Sequence, residues 1–199
     1  MLTELDVVNA QIATMGEAPL TSLTIPHPYV AAGLNYLRKK SRQFQTIGWW
    51  FNTATLDITP ADDTFVVSDQ LPCGILSLRG PYGRALSIRG TQLYDHQERA
   101  ILEDRVCGVV VVYELPFVDL PPSAQQYAMD LAILAFQKEY DGSDAKTRLC
   151  QQDVSQSFVI MNTEHIRTIR ANKLRNPGTL ATVLATAGLG GRTWGLRTR

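Results

Sequence analysis

The stretch QFQTIGWWFNTATLDITP, Gln43–Pro60, changes character at Gly48. Before it, Phe44 and Ile47 keep a helical spacing. After it, Trp49, Trp50 and Phe51 lead into a Thr-Leu-Ile alternation of strand type. Glycine accepts the left-handed backbone freely, so Gly48 is read as the helix terminator. The stretch is therefore a corner between a helical layer and a sheet, and the predicted class is α+β. Gly48, Trp49 and Trp50 are read as a wedge at that corner, because aromatic side chains with so much area to bury belong in a core. Successive strand residues face opposite sides. One indole is thus expected under the helices and the other in the β core or against a neighbour.

Upstream, the spacing predicts a helix from about Pro28 to Ile47, with Val30, Leu34, Leu37, Ser41, Phe44 and Ile47 facing inward and Arg38, Lys39, Lys40 and Arg42 largely outward. A first helix is predicted over Thr3–Met15, capped by Thr3, striped by Leu5, Val8, Ile12 and Met15, and stopped by Gly16. The linker EAPLTSLTIPHP is kept extended by its prolines. Downstream to Leu115, short runs recur between turn signals: WFNTATLDI, TFVVS, GILSLRG, RALSIRG, TQLYD, ERAILED and VCGVVVVYEL. GILSLRGPYGRALSIRG reads as a hairpin, and the whole as an antiparallel sandwich or small barrel. A third helix follows over Ser123–Tyr140, opened by Pro121 and Pro122 and ended by Gly142. It is apolar around most of its circumference and is expected to be the most buried. A fourth runs from Asp144 to about Asn172, with a looser stripe of Leu149, Val154, Phe158, Met161, Ile166 and Ile169. Its other surface, including Gln151, Gln152, Ser155, Gln156 and Asn162, is polar but hardly charged, which suits contact with a partner. The expected organisation is a bundle of about four helices (1–48 and 116–173), an inserted β subdomain (49–115) and an extended C-terminal tail (174–199).

Composition limits the function classes. The chain of 199 residues is 45% hydrophobic and has zero formal net charge. A dedicated nucleic-acid binder is usually clearly basic. No apolar run reaches the ~18–20 residues of a membrane span, and residues 1–16 read as acidic and amphipathic rather than as a signal peptide. Cys73, Cys107 and Cys150 are odd in number and lack a C-x-x-C pair, so they are read as free thiols in a reducing compartment. From His165 onward there are seven basic residues and no acid, which makes that end +7 and the rest −7. Such asymmetry invites a partner of opposite charge.

Catalytic signatures are missing: no G-x-S-x-G, no H-E-x-x-H, no P-loop. The acids Asp62–Asp63, Glu103–Asp104 and Asp95–Glu98 fall in turns, where solvation keeps carboxyls ordinary. A glycosidase needs two carboxyls facing each other, one with its pKa raised by burial. Glu164-His165 and Asp95-His96 lack the further ligands of a metal site. The tail glycines Gly188, Gly190, Gly191 and Gly195 have no helix after them, as a phosphate loop requires. No catalytic, cofactor or metal residue is assigned.

The words VVNAQIATMGEAPLTSL, LNYLRKKSRQFQTIGWWFNTATLDITPADD, RGTQLYD and LPPSAQQYAMDLAILAFQKEYDG, ending on the basic LRTR, occur in an order and spacing that resembles the tail tubular protein A family, the head–tail adaptors of short-tailed phages. RGTQLYD supplies the family-like turn residues Arg89, Gly90, Leu93, Tyr94 and Asp95. The resemblance implies a non-enzymatic virion protein assembled in the host cytoplasm. It implies a homo-oligomeric dodecameric ring below the portal protein, holding the tail nozzle, with phage DNA leaving through its centre without sequence-specific binding. Neither a cofactor nor a membrane is implied. Arg175, Arg192, Trp194, Arg197 and Arg199 are the candidate contacts to the next subunit or the portal, since arginine and aromatic residues are frequent hot spots. The competing readings are a glycan hydrolase of the host envelope, using Asp95 and Glu98, and a DNA-binding module using Arg38–Arg42 or the tail.

Overall fold

A computed structural model describes residues 1–58, 74–89, 92–102 and 106–175, with side chains as far as residue 169. Among these residues four α-helices and six strands run in the order α1 (Glu4–Thr14), α2 (Val30–Gln45), β1 (Thr53–Ile58), β2 (Ile75–Arg79), β3 (Ala85–Arg89), β4 (Gln92–Asp95), β5 (Ala100–Ile101), β6 (Val106–Tyr113), α3 (Pro122–Tyr140) and α4 (Asp144–Arg175). The class is α+β, as the sequence implied. Met1–Met161 and Asn162–Arg199 form two compact units.

Thr3 begins α1 with a capping box: its hydroxyl accepts from the Asp6 amide while the Asp6 carboxylate accepts from the Thr3 amide. Its buried face is Val7, Val8, Gln11 and Ile12, shifted from the predicted stripe; Leu5 and Met15 are only half-buried. In α3 the alanines Ala124, Ala128 and Ala132 are fully buried at four-residue spacing. Small side chains let neighbouring backbones come close, and α3 packs against both α1 and α2. Around this ridge lie Val7, Leu37, Phe44, Trp49, Phe117, Leu120 and Met161. A smaller cluster of Val8, Ile12 and Val30 seals α1 to α2. There a Cβ on Gly33 would lie 2.3 Å from Gln11 Oε1, so a side chain at that position would displace the Gln11 amide.

The strands form one antiparallel sheet in the order β1-β6-β2-β3-β4-β5. β6 lies between β1 and β2 and is rich in valine, which suits a strand paired on both sides. The predicted hairpin is β2–β3, with Leu78 opposite Leu86. β1 and β5 end the order on opposite sides, so no sandwich or closed barrel is seen among the described residues. The predicted run TFVVS lies outside them. Ile58, Leu86, Leu93, Val106, Val109 and Val111 make the sheet's own core.

Two predicted stripes are corrected. α2 ends at Gln45, so Ile47 falls past the last turn and is 71% exposed. Among the described side chains of α4 only Ser157 and Met161 are buried, whereas Leu149 and Ile160 are each 62% exposed; Phe158 and Ile166 are also on the surface.

Asp130 of α3 is buried beside α4. Burial pushes its carboxyl above the usual range; hydrogen bonding from Ser157 and Gln126 opposes this, and the charge of Asp153 adds to it. A carboxyl with a raised folded pKa contributes stability that is complete below its unfolded pKa and is lost as pH rises through the folded one. Asp130→Asn is therefore expected to raise stability at neutral pH. Urea midpoints measured at mildly acidic and neutral pH should fall between the two for the wild type and stay level for the variant.

Candidate functional site

The corner at Gly48 is built by two buried amide side chains as much as by its aromatics. Gly48 has φ 83°, and a Cβ there would meet Val112 Cγ2 at 3.0 Å. Residues 49–52 then form a turn, with the Asn52 amide donating to the Trp49 carbonyl at 3.2 Å. β1 begins only at Thr53, so the alternation expected of Trp49 and Trp50 does not apply. Both indoles pack against the helical core, and neither joins the sheet's core. Trp49 is 4% exposed, and its indole N–H donates to the Phe44 carbonyl at 2.9 Å. Its ring meets Phe158 edge-on.

Asn52 is fully buried. Its carbonyl accepts from the Trp49 amide at 2.7 Å, and its amide donates to the Gln45 carbonyl at 3.0 Å and the Tyr113 carbonyl at 2.9 Å. Gln45 also stitches α2 to the exit of β6, donating to the Leu115 carbonyl at 3.1 Å and accepting the Leu115 amide at 2.8 Å. Thus the end of α2, the start of β1 and the end of β6 share one buried network. Sequence reasoning missed both residues. The available signal was a glutamine on the inward face of a helix and an asparagine inside an aromatic cluster.

The RGTQLYD residues sit elsewhere, near the far side of the sheet order. Leu93 is core. The Arg89 guanidinium lies 3.4 Å from the centre of the Tyr94 ring. Asp95 is buried and caps the turn after β4: one carboxylate oxygen accepts the Gln97 amide at 2.6 Å, and the other accepts from Arg84 Nε. Arg84 also bridges to Glu98 at 2.7 Å. Burial would raise the Asp95 pKa, but the Gln97 amide, Arg84 and the Glu98 amide outweigh it and hold the carboxyl below the usual range. A glycosidase acid needs the reverse shift. Asp95 and Glu98 instead share one arginine, and this pair serves as a turn brace. Gly90, Asp62, Asp63, Glu103, Asp104, Cys73, the side chain of Arg175 and residues Arg192, Trp194, Arg197 and Arg199 lie outside the described residues. No group of three His, Cys, Asp or Glu side chains could hold a metal among the described residues.

The outer face of α4 has the surface character of an interface. Leu149, Gln152, Gln156 and Ile160 fall on one side at helical spacing, all exposed. Beside Leu149, α1 and α4 enclose an open depression of about 520 Å³ lined by Ala10, Ala13, Thr14, Gly16 and Cys150. Lys146 closes its edge, donating to the Thr14 carbonyl at 2.7 Å and pairing with Asp141 at 2.9 Å. An apolar, charge-poor patch of this kind on one side of a protein suits a protein partner. By contrast Arg38, Lys39 and Arg42 are exposed on α2, where Arg42 pairs with Glu114 at 3.7 Å.

The family model described as tail tubular protein matches residues 5–171. Tail tubular protein A of Klebsiella phage KP34 is 24% identical over 171 residues, which cover 85% of this chain and 90% of that protein. The chain belongs to the tail tubular protein family, the structural proteins of phage tails.

Proposed function

We propose that the protein is a head-to-tail adaptor: a ring, dodecameric in the virion, that joins the portal to the tail nozzle and lines part of the DNA ejection channel. The helices of 1–48 and 116–173 would form its body, 49–115 an inserted β subdomain, and 174–199 a tail reaching the next copy or the portal through Arg192, Trp194, Arg197 and Arg199. The observation that carries the reading is the exposed, charge-poor face of α4 around Leu149 and Ile160, in a chain of this family. A ring needs two different patches on each copy, one meeting the other on its neighbour. Zero net charge supports the conduit role, because each phosphate contact adds salt-dependent grip on passing DNA. Assembly in the host cytoplasm fits the cysteines read as free thiols.

Native mass analysis with electron microscopy, on the protein alone and mixed with its portal, tests the reading. Closed rings are expected in at least the mixture. A monomer that ignores the portal would overturn it.

A further inference from the structure

The β2–β3 hairpin ends in a tyrosine with no shelter. Tyr82 is fully exposed, at 108% of its reference area, on the tip sequence Gly80-Pro81-Tyr82-Gly83-Arg84. It holds φ 55°, a left-handed conformation unfavourable to a residue with a bulky side chain. The turn imposes it. Pro81 fixes its own φ, the Gly80 amide donates to the Arg84 carbonyl at 2.8 Å, and the Arg84 amide donates back to Pro81 at 3.1 Å. The Arg84 side chain is in turn fastened to Asp95 and Glu98. Strain of this kind persists where surrounding structure over-determines it, and it concentrates at functional positions. A turn that fixes the backbone and carries an exposed aromatic ring is a pre-organised anchor, since binding need order only the two side-chain torsions of a tyrosine.

We infer that Tyr82 inserts into the α1–α4 depression of a second copy of this chain, beside Leu149. This rests on the ring reading and names the two patches it requires. Charge favours a second copy as occupant. Ile75–Arg89 carries Arg79, Arg84 and Arg89 and no acid. The depression is flanked in sequence by Glu17, Asp141, Asp144 and Asp153 against Lys146 and Arg148, a net negative surround. The last turn of α1, whose carbonyl end carries partial negative charge, contains no basic residue of its own. A basic hairpin with an aromatic tip thus meets an apolar hollow with an acidic surround. Because the two patches differ, the contact propagates from copy to copy and can close as a ring.

Cys150 lines the depression and is half-buried, so it reports directly on what enters. In a chain carrying Cys73→Ser and Cys107→Ser, Tyr82→Cys is expected to give a ladder of disulfide-linked chains when assembled particles are oxidised, and Cys150→Ser should abolish it. Assembled particles without the ladder would overturn the inference while leaving the ring intact. A cross-link to the portal instead would overturn the choice of occupant. If the wild type forms no oligomer, alone or on the portal, the ring reading falls and the inference with it. Should Tyr82→Cys itself prevent assembly, the unsubstituted protein decides. Alkylation of Cys150 is expected to slow at least about tenfold on assembly if the hollow is filled, a difference of some 1.4 kcal/mol in effective opening. Equal rates would overturn the inference.

Discussion

Asn52→Ala is expected to lower folding stability by about 3–5 kcal/mol, more than a typical single substitution. The variant removes little apolar area. Its effect comes from what remains behind: the Trp49 amide, the Gln45 carbonyl and the Tyr113 carbonyl, all bonded to one side chain. Each such group left without a partner costs about 1–3 kcal/mol, and the three share a site, so they do not simply add. Water cannot easily take over, because Asn52 is fully buried under Trp49 and the helical core. The control is Thr53→Ala, one residue along and exposed, where a change within about 0.5 kcal/mol is expected. Urea denaturation followed by tryptophan fluorescence measures both, with Trp49 at the site itself. A loss for Asn52→Ala below about 1 kcal/mol would mean that the corner is held by the indoles alone, as the sequence pattern implied, and that the amide network is incidental.

That comparison shows what was legible and what was not. Gly16, Gly48 and Gly142 were readable as stops because each takes a positive φ that only glycine adopts without strain. The Thr3 cap and the β2–β3 hairpin were readable because their signals are local. Gln11, Gln45, Gln125 and Gln137 were not: all four are buried on inward helix faces, where a pattern search expects apolar residues. Gln137 donates to Asp141 at the end of its own helix, while Gln11, Gln45 and Gln125 reach a neighbouring segment, as Gln125 does in donating to the Phe117 carbonyl at 3.0 Å. That depends on tertiary distance, which periodicity does not encode. Ile47 was misread because the repeat of apolar residues runs two positions past the last helical residue. The same failing inflated the α4 stripe. Leu149 and Ile160 lie about a quarter turn round the helix from the buried Ser157 and Met161 and are exposed, so their apolar character answers to something other than this chain's own core. The candidate interface was partly visible from sequence, through the uncharged glutamines of that helix, and the family through its words rather than through any chemistry.

The second large effect is expected there. Leu149→Asp combined with Ile160→Asp should raise the concentration needed for ring assembly by 100-fold or more while leaving the isolated chain folded. Both positions are exposed, so each substitution should change folding stability by no more than about 0.5 kcal/mol. At a subunit contact the same changes act twice. They remove apolar side chains from a patch that would otherwise be desolvated, and they place carboxylates in it, the one at 160 with no lysine or arginine within a helical turn. An interface hot spot is worth about 2 kcal/mol or more, and an unpaired buried charge costs more again. Every tenfold in affinity is about 1.4 kcal/mol, so one lost contact per subunit already exceeds tenfold, and two exceed a hundredfold. A ring multiplies the effect, because each copy presents the damaged face once and meets another at the opposite patch. The comparison set is Gln152→Ala on the same face, where less than about 1 kcal/mol is expected, because contacts around hot spots are near-neutral. Sedimentation of each variant across a concentration series, alone and on the portal, separates assembly from folding when read beside a urea midpoint. Normal rings from the double variant would show that α4 turns this face to solvent in the virion, and would move the subunit contact to the sheet or to the basic C-terminal segment. Loss of rings together with a collapsed urea midpoint would show that Leu149 and Ile160 support the monomer instead, against their exposure.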